Sequence, residues 1–325
     1  MKKEKTKLIT SIGGQALIEG IMMRGPMKST IAVRKSDGTI ELEEIKPLGW
    51  AKKHKVLRLP LIRGVVGMID SLVTGEKALM KSADKALDGE DDSDVQPSKL
   101  DLWLEKHFGD KVINAVMVVS TVIAVIFCIA VFYFLPTWLY NFTAEALTFM
   151  KQPVLGMERF WQSAYEGIIR IILFLVYMCF CTLNKDVKRV FQYQGAEHKT
   201  IFCYEYGLDL TVENVKKQIR FHPRCGTSFM VLMLIVGIII GLFIPINHPV
   251  IRPVVKFCLL PLTVGIGYEL IKLCGKHDNV VTRIIAAPGV WMQHITTKEP
   301  DDKMIEVAIE ALKDVIPENG EDRIG

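Results

Sequence analysis

Two short runs hold the side chains most able to do chemistry: Gln194-Gly195-Ala196-Glu197-His198-Lys199, and His222-Pro223-Arg224-Cys225-Gly226. His198, His222 and Cys225 could give two nitrogens and a sulfur to Zn²⁺, leaving a fourth position for water, as in a catalytic zinc site. Glu197, next to a ligand, could act as general base on that water. His-x-x-Cys is a metal-like spacing, but neither His-Glu-x-x-His nor a second Cys-x-x-Cys completes a signature. The competing structural reading has His198 capping a turn or pairing with Glu197, with Cys225 simply buried. On spacing alone this second reading weighs somewhat more.

Two further places stand out. Glu269 falls inside an apolar run, where a carboxylate is costly unless paired or hydrated. Its candidate partners are Lys272, His277 and the cluster above; a metal-ligand or proton-accepting role is balanced by that of an interfacial carboxylate. The run Gly13-Gly14-Gln15-Ala16-Leu17-Ile18-Glu19-Gly20-Ile21-Met22-Met23-Arg24-Gly25-Pro26 suggests close backbone approach and a polar network. A glycine-rich crossing held by Glu19–Arg24 pairing is the structural alternative. The run lacks the lysine and spacing of a phosphate loop, so nucleotide binding is unsupported. His294 is a remote candidate for the same surface.

The elements that must position these residues follow from hydropathy. Half of the 325 residues are hydrophobic, mean hydropathy is +0.27, and 23% are charged. That mixture fits long apolar runs between ordinary polar segments. Four runs qualify as spans, at about 112–135 (ended by Pro136), 167–183, 228–246 and 254–271. The last is the weakest, because it carries Lys256, Pro261 and Glu269. Segment 184–227 holds eight basic residues and the tail after Ile271 seven, whereas 136–166 holds two and 247–253 one. Positive-inside therefore places both termini and 184–227 in the cytoplasm. Gln15, Glu19 and Arg24 interrupt any apolar core after the first lysines, so no signal peptide is expected.

Outside the membrane, residues 1–87 read as a small α+β cytoplasmic region. Thr30–Lys35 and Ile40–Ile45 alternate around Ser36-Asp37-Gly38-Thr39, a hairpin signal. Residues 61–87 follow helical spacing, weakened by Gly64, Gly67 and Gly75, and are expected to pack on that region's own core. Residues 88–111 read as an acidic linker and a helix at the membrane surface. Residues 112–271 form the four-helix membrane domain, including 184–227. In 272–325, helices are expected at Val280–Ala287, with Pro288-Gly289 as a break, and at Asp301–Val315. Arg170 is expected to snorkel from near the outer face.

Net charge of +4 is too weak for a nucleic-acid binder. Seven cysteines, four of them inside apolar runs, exclude a secreted disulfide scaffold. A transporter is disfavoured, because only Glu269 and Arg170 are set well inside the spans.

Residues 13–26, Gln-Gly-Ala-Glu-His-Lys at 194–199 and His-Pro-Arg-Cys-Gly-Thr-Ser-Phe at 222–229 resemble the YqhQ family of bacterial membrane proteins, which carry a domain of unknown function. The resemblance runs from about Ile12 to Val315. The family is often labelled a predicted metal-dependent enzyme, and the resemblance thereby raises the metal reading at His198, His222 and Cys225. The sequence therefore leads to a polytopic α-helical protein of the bacterial plasma membrane with a cytoplasm-facing, metal-dependent and hydrolytic site. Its partners would be the lipid bilayer and a lipid-linked or membrane-protein substrate. A non-enzymatic scaffold or biogenesis factor is the alternative, and convergence of the three ligand side chains separates the two.

Overall fold

The computed structural model describes residues 8–50, 54–87, 119–146, 157–277 and 279–323. The expected linker and surface helix at 88–111, and the start of the first apolar run, lie outside the described residues. The chain divides into two compact units, one drawn from Met1–Gly89, Leu175–Val236 and Pro261–Gly325, the other from Glu90–Phe174 and Gly237–Leu260.

In the first unit, four strands form an antiparallel meander: β1 (Gly13–Leu17), β2 (Gly20–Arg24), β3 (Ser29–Arg34) and β4 (Ile40–Ile45). The hairpin around Ser36–Thr39 forms as the alternation predicts, with Gly38 at φ 85°. The glycine-rich run is itself a hairpin, Leu17 facing Gly20 across a turn in which Glu19 takes φ 48°. Side chains alternate between two covered faces. Ala16, Ile21, Met23 and Ala32 pack with Tyr193, Ala196, Met304, Ala308 and Leu312. Leu17, Met22, Ile31 and Val33 pack instead with Ala78. The sheet thus lies between helix α1 (Ile62–Leu87) and helices supplied by later parts of the chain.

Two of the α1 glycines serve close packing. A Cβ at Gly64 would lie 2.7 Å from Tyr268 Cβ, and one at Gly75 2.5 Å from Gln15 Oε1.

Among the described residues two helices are long and apolar enough to cross a membrane: α2 (Val119–Ala144) and α3 (Met157–Cys181, apolar from Phe160). Pro136 does not end α2 as expected. A π-helical turn at Ala130–Phe134 precedes it. The Phe132 carbonyl, which Pro136 has no N–H to satisfy, accepts from Arg170 Nε at 2.9 Å. Arg170 is accordingly buried and does not snorkel.

Segment 184–227 folds into α4 (Lys185–Glu205), whose N-cap Asn184 accepts from the N–H groups of Asp186 and Val187, and the short α5 (Val212–Lys216). The third apolar run forms α6 (Gly226–Leu242), 17 residues or about 25 Å at ~1.5 Å per residue. The fourth is broken into α7 (Ile251–Cys258) and α8 (Leu260–Lys276), bent by 46° and counting as a third span only if taken as one. Four full spans are therefore more than length and composition give among the described residues.

Helix α9 (Val280–Thr296) runs through Pro288 without the expected break. A proline removes a single ladder bond, and at Gly289 the helix approaches Ser228 so closely that a Cβ would meet Ser228 Cα at 2.6 Å. Helix α10 (Asp302–Val315), capped by Asp301 on the Met304 N–H, covers the sheet with its apolar face.

Candidate functional site

Gln194, Glu197 and His198 stand at i, i+3 and i+4 on α4 and share one face. That face meets β1. The Gly14 N–H donates to Glu197 Oε1 at 2.9 Å, and Gln194 Nε2 donates to Glu197 Oε2 at 2.8 Å. On the neighbouring turn, Gly195 lets α4 touch the 298–300 segment: a Cβ there would lie 2.1 Å from the Lys298 carbonyl oxygen.

His198 is fixed by the 2.6 Å contact of its Nδ1 with the Arg220 carbonyl. A carbonyl can only accept, so Nδ1 carries a proton. That Nε2 lies 3.3 Å from Glu197 Oε2 and 3.2 Å from Gln194 Nε2. Gln194 Nε2 is also 3.7 Å from Cys225 Sγ. One amide nitrogen with two hydrogens thus faces a carboxylate oxygen, an imidazole nitrogen and a thiol.

Glu197 is 3% exposed. Burial raises its ionisation to about 7, with His198 acting in the opposite direction. Burial also pushes the Cys225 thiol up, although Thr227 and the N–H groups opening α6 pull the other way.

His222 is held differently. Its N–H donates to Gln293 Oε1 at 2.7 Å, and its carbonyl accepts from Gln293 Nε2 at 2.6 Å. The ring packs 4.8 Å from Phe202, with Nε2 3.3 Å from the Arg224 guanidinium. Arg224 is in turn tied to the Glu205 carboxylate and to the Thr10 carbonyl at 2.5 Å. Gln194, Glu197, His198, His222, Arg224 and Cys225 line a cavity of about 570 Å³, closed on another side by Gly13, Gly14 and Arg24.

The sequence-predicted site residues separate accordingly. Glu197, His198 and Cys225 come together, and His222 lines the same cavity with its ring against Arg224. Among the described residues no three His, Cys, Asp or Glu side chains form a group able to hold a metal ion.

Glu19 pairs with Arg189, not with Arg24, and accepts from Tyr193 Oη at 3.2 Å. Arg24 donates to Ser71 Oγ at 3.1 Å and does reach the cavity. Glu269 is bound by Arg63, with Nε at 2.6 Å, in place of Lys272 or His277. His294 stacks on Phe221 and its Nδ1 contacts the Trp291 carbonyl.

Residues 59–318 match the model of a family described as a protein of unknown function, DUF1385. The chain belongs to that family. It is 33% identical over 315 residues to the uncharacterized protein YqhQ of Bacillus subtilis (strain 168), covering 96% of this chain and 94% of the relative. No solved structure matches.

This DUF1385 chain also holds a second polar cluster, in its other unit, that sequence reasoning missed. Glu166 and Arg252 are fully buried and paired at 3.1 Å, and Lys256 binds the same carboxylate. Arg252 uses every donor it has. Nε meets Glu166, Nη1 the Ile244 and Ile246 carbonyls, and Nη2 Ser163 Oγ and the Gly241 carbonyl. It thereby closes the carbonyl end of α6. The signal was a charge near the end of each of two apolar runs, readable as a pair only once the runs are adjacent.

Proposed function

We propose that this chain is an integral protein of the bacterial plasma membrane whose cavity performs hydrolysis, with Glu197 as the group that takes and returns the proton. Both termini and residues 184–227 lie in the cytoplasm in this reading, on the strength of the loop charges.

The observation that carries it is the setting of Glu197. A carboxyl that titrates about 7 is present in both protonation states near neutral pH. It can therefore accept a proton from water and deliver it to a leaving group. Gly14 and Gln194 hold its two oxygens, and His198 Nε2 lies beside it. Arg24 and Arg224 also line the cavity, Arg224 in its pair with Glu205.

The test uses the purified full chain in detergent, incubated with bacterial membrane lipid extract in water labelled with heavy oxygen. Mass spectrometry should find a product carrying the label with the wild type. Glu197→Gln should reduce it by about 10²–10⁴-fold, the worth of a general acid–base. No labelled product, or an unaffected variant, would sink the proposal, and the non-enzymatic scaffold would then take its place.

A metal-bound site is the second reading, and one observation favours it: Glu197 Oε2, His198 Nε2 and Cys225 Sγ all face Gln194 Nε2. A divalent transition metal, zinc first, would compete with that amide for the same three atoms and would supply Lewis-acid activation of water. Elemental analysis decides. Stoichiometric zinc in the wild type, lost in His198→Ala and Cys225→Ser, supports a metal; a hydrolytically active protein free of metal removes it.

A further inference from the structure

Helix α9 is amphipathic the wrong way round for a helix in water. Its buried face carries Thr282, Gly289, Met292, Gln293 and Thr296. Its outer face carries Val280, Val281, Ile284 and Trp291, each 59–73% exposed. Helix α10, in the same unit, does the reverse, burying Met304, Ile305, Ala308 and Leu312 while exposing Asp302, Lys303, Glu306 and Lys313.

The inward polar groups are engaged. Gln293 holds the His222 backbone and donates to Ser228 Oγ at 2.8 Å, and Thr282 completes the capping box with Asn279. The outward apolar stripe therefore has no polar purpose on its own helix.

We propose that this stripe lies against lipid acyl chains, so that α9 is a helix of the membrane boundary and not one surrounded by cytoplasm. Three observations select lipid as the occupant. Only residues 277–279 separate α9 from α8, which is half of the bent apolar pair. Leu273, near the end of α8, is an apolar side chain left 45% exposed. Trp291, with Arg283 and His294 also outward, is of the residue types that settle at the headgroup level.

The consequence concerns the site: Gln293, which clamps His222, sits on the back of a helix only about 10–12 Å thick. The inference rests on the membrane reading above but not on the chemistry assigned to Glu197.

The full chain, reconstituted in nanodiscs with Trp50, Trp103, Trp138 and Trp161 changed to Phe, leaves Trp291 as the one tryptophan, excited selectively at the red edge of its absorption. Phospholipids brominated on the acyl chain should quench it at least about twofold, as for an interfacial tryptophan, while aqueous iodide should quench it weakly. Quenching by iodide and not by bromolipid would overturn the proposal. In case the tryptophan variant misfolds, Ile284→Cys should add no labelling by a water-soluble maleimide in permeabilised membranes beyond that of the native cysteines in wild type, whereas Lys313→Cys should add it, each site read by peptide mass spectrometry. Labelling of both, or oxidative cross-linking of Ile284→Cys between two copies, would equally overturn it. A wild-type chain that stays in the aqueous fraction would overturn the membrane reading as well, whereas an inactive Glu197 would leave this inference standing.

Discussion

The Gly14 N–H donates to Glu197 Oε1 at 2.9 Å across 183 residues of sequence. Glycine is required on the β1 side, because a Cβ at position 14 would lie 2.6 Å from Glu197 Cγ. Gly14→Ala should therefore push the carboxyl away from its donor. The expected cost is about 1–3 kcal/mol of stability, as for an overpacked core position, together with a hydrolytic loss approaching that of Glu197→Gln. A thermal melt beside the labelled-water assay checks both, and an unchanged melt would mean that α4 and β1 separate easily.

The ionisation of Glu197 predicts a stability profile. In the unfolded chain it titrates near its ordinary 4.5, and in the native chain at about 7. Between those values the native state keeps a proton that the unfolded state has lost. Stability from this group is thus greatest below about pH 4.5, declines as pH rises, and is lowest above 7. The full swing is on the order of 3 kcal/mol. Glu197→Gln should flatten that part of the profile and melt higher than wild type at pH 8. Parallel slopes for the two proteins would contradict the shift.

Parts of this arrangement are legible in the sequence, for identifiable reasons. The β3–β4 hairpin and helices α1 and α10 show in the periodicity, because each has one face against a core. The β1–β2 hairpin does not, because both sheet faces are covered and Gly20–Arg24 loses its alternation. It reads instead as a glycine-rich crossing. Glu197, His198 and Cys225 are found by residue type. Gln194, on which all three converge, is not, since an amide belongs to no ligand or nucleophile pattern. Partners such as Arg63 for Glu269, 206 residues apart, have no local signature at all.

Arg252 invites a conservative substitution that should not behave as one. Its five N–H groups meet a carboxylate, a hydroxyl and three carbonyls, a fork that an ammonium on a single-file stem cannot copy. Arg252→Lys should leave buried carbonyls at the end of α6 unsatisfied and cost about 3 kcal/mol. Detergent-solubilised protein should melt lower than wild type, with Glu197 titrating as before because the two clusters belong to different units. A melt within error of wild type would show that water readily takes over those carbonyls.

Gln194 offers the sharpest separation between positioning and proton chemistry. Its Nε2 donates to Glu197 Oε2, and that hydrogen bond favours the charged carboxylate. Gln194→Leu removes the donor and leaves a side chain of similar length, so burial acts on Glu197 with less opposition. The ionisation of Glu197 should move above about 7. With it, the alkaline rise of any hydrolytic pH–rate profile should shift to higher pH. Gln194→Glu should act in the same direction and more strongly, since a second carboxylate beside the first disfavours both charges. Carbon-detected NMR of labelled glutamate in wild type and both variants reads the titration directly, without any substrate. Downward movement in Gln194→Leu would show that the amide does not serve Glu197 as a donor, and would return the space between Glu197, His198 and Cys225 to a cation.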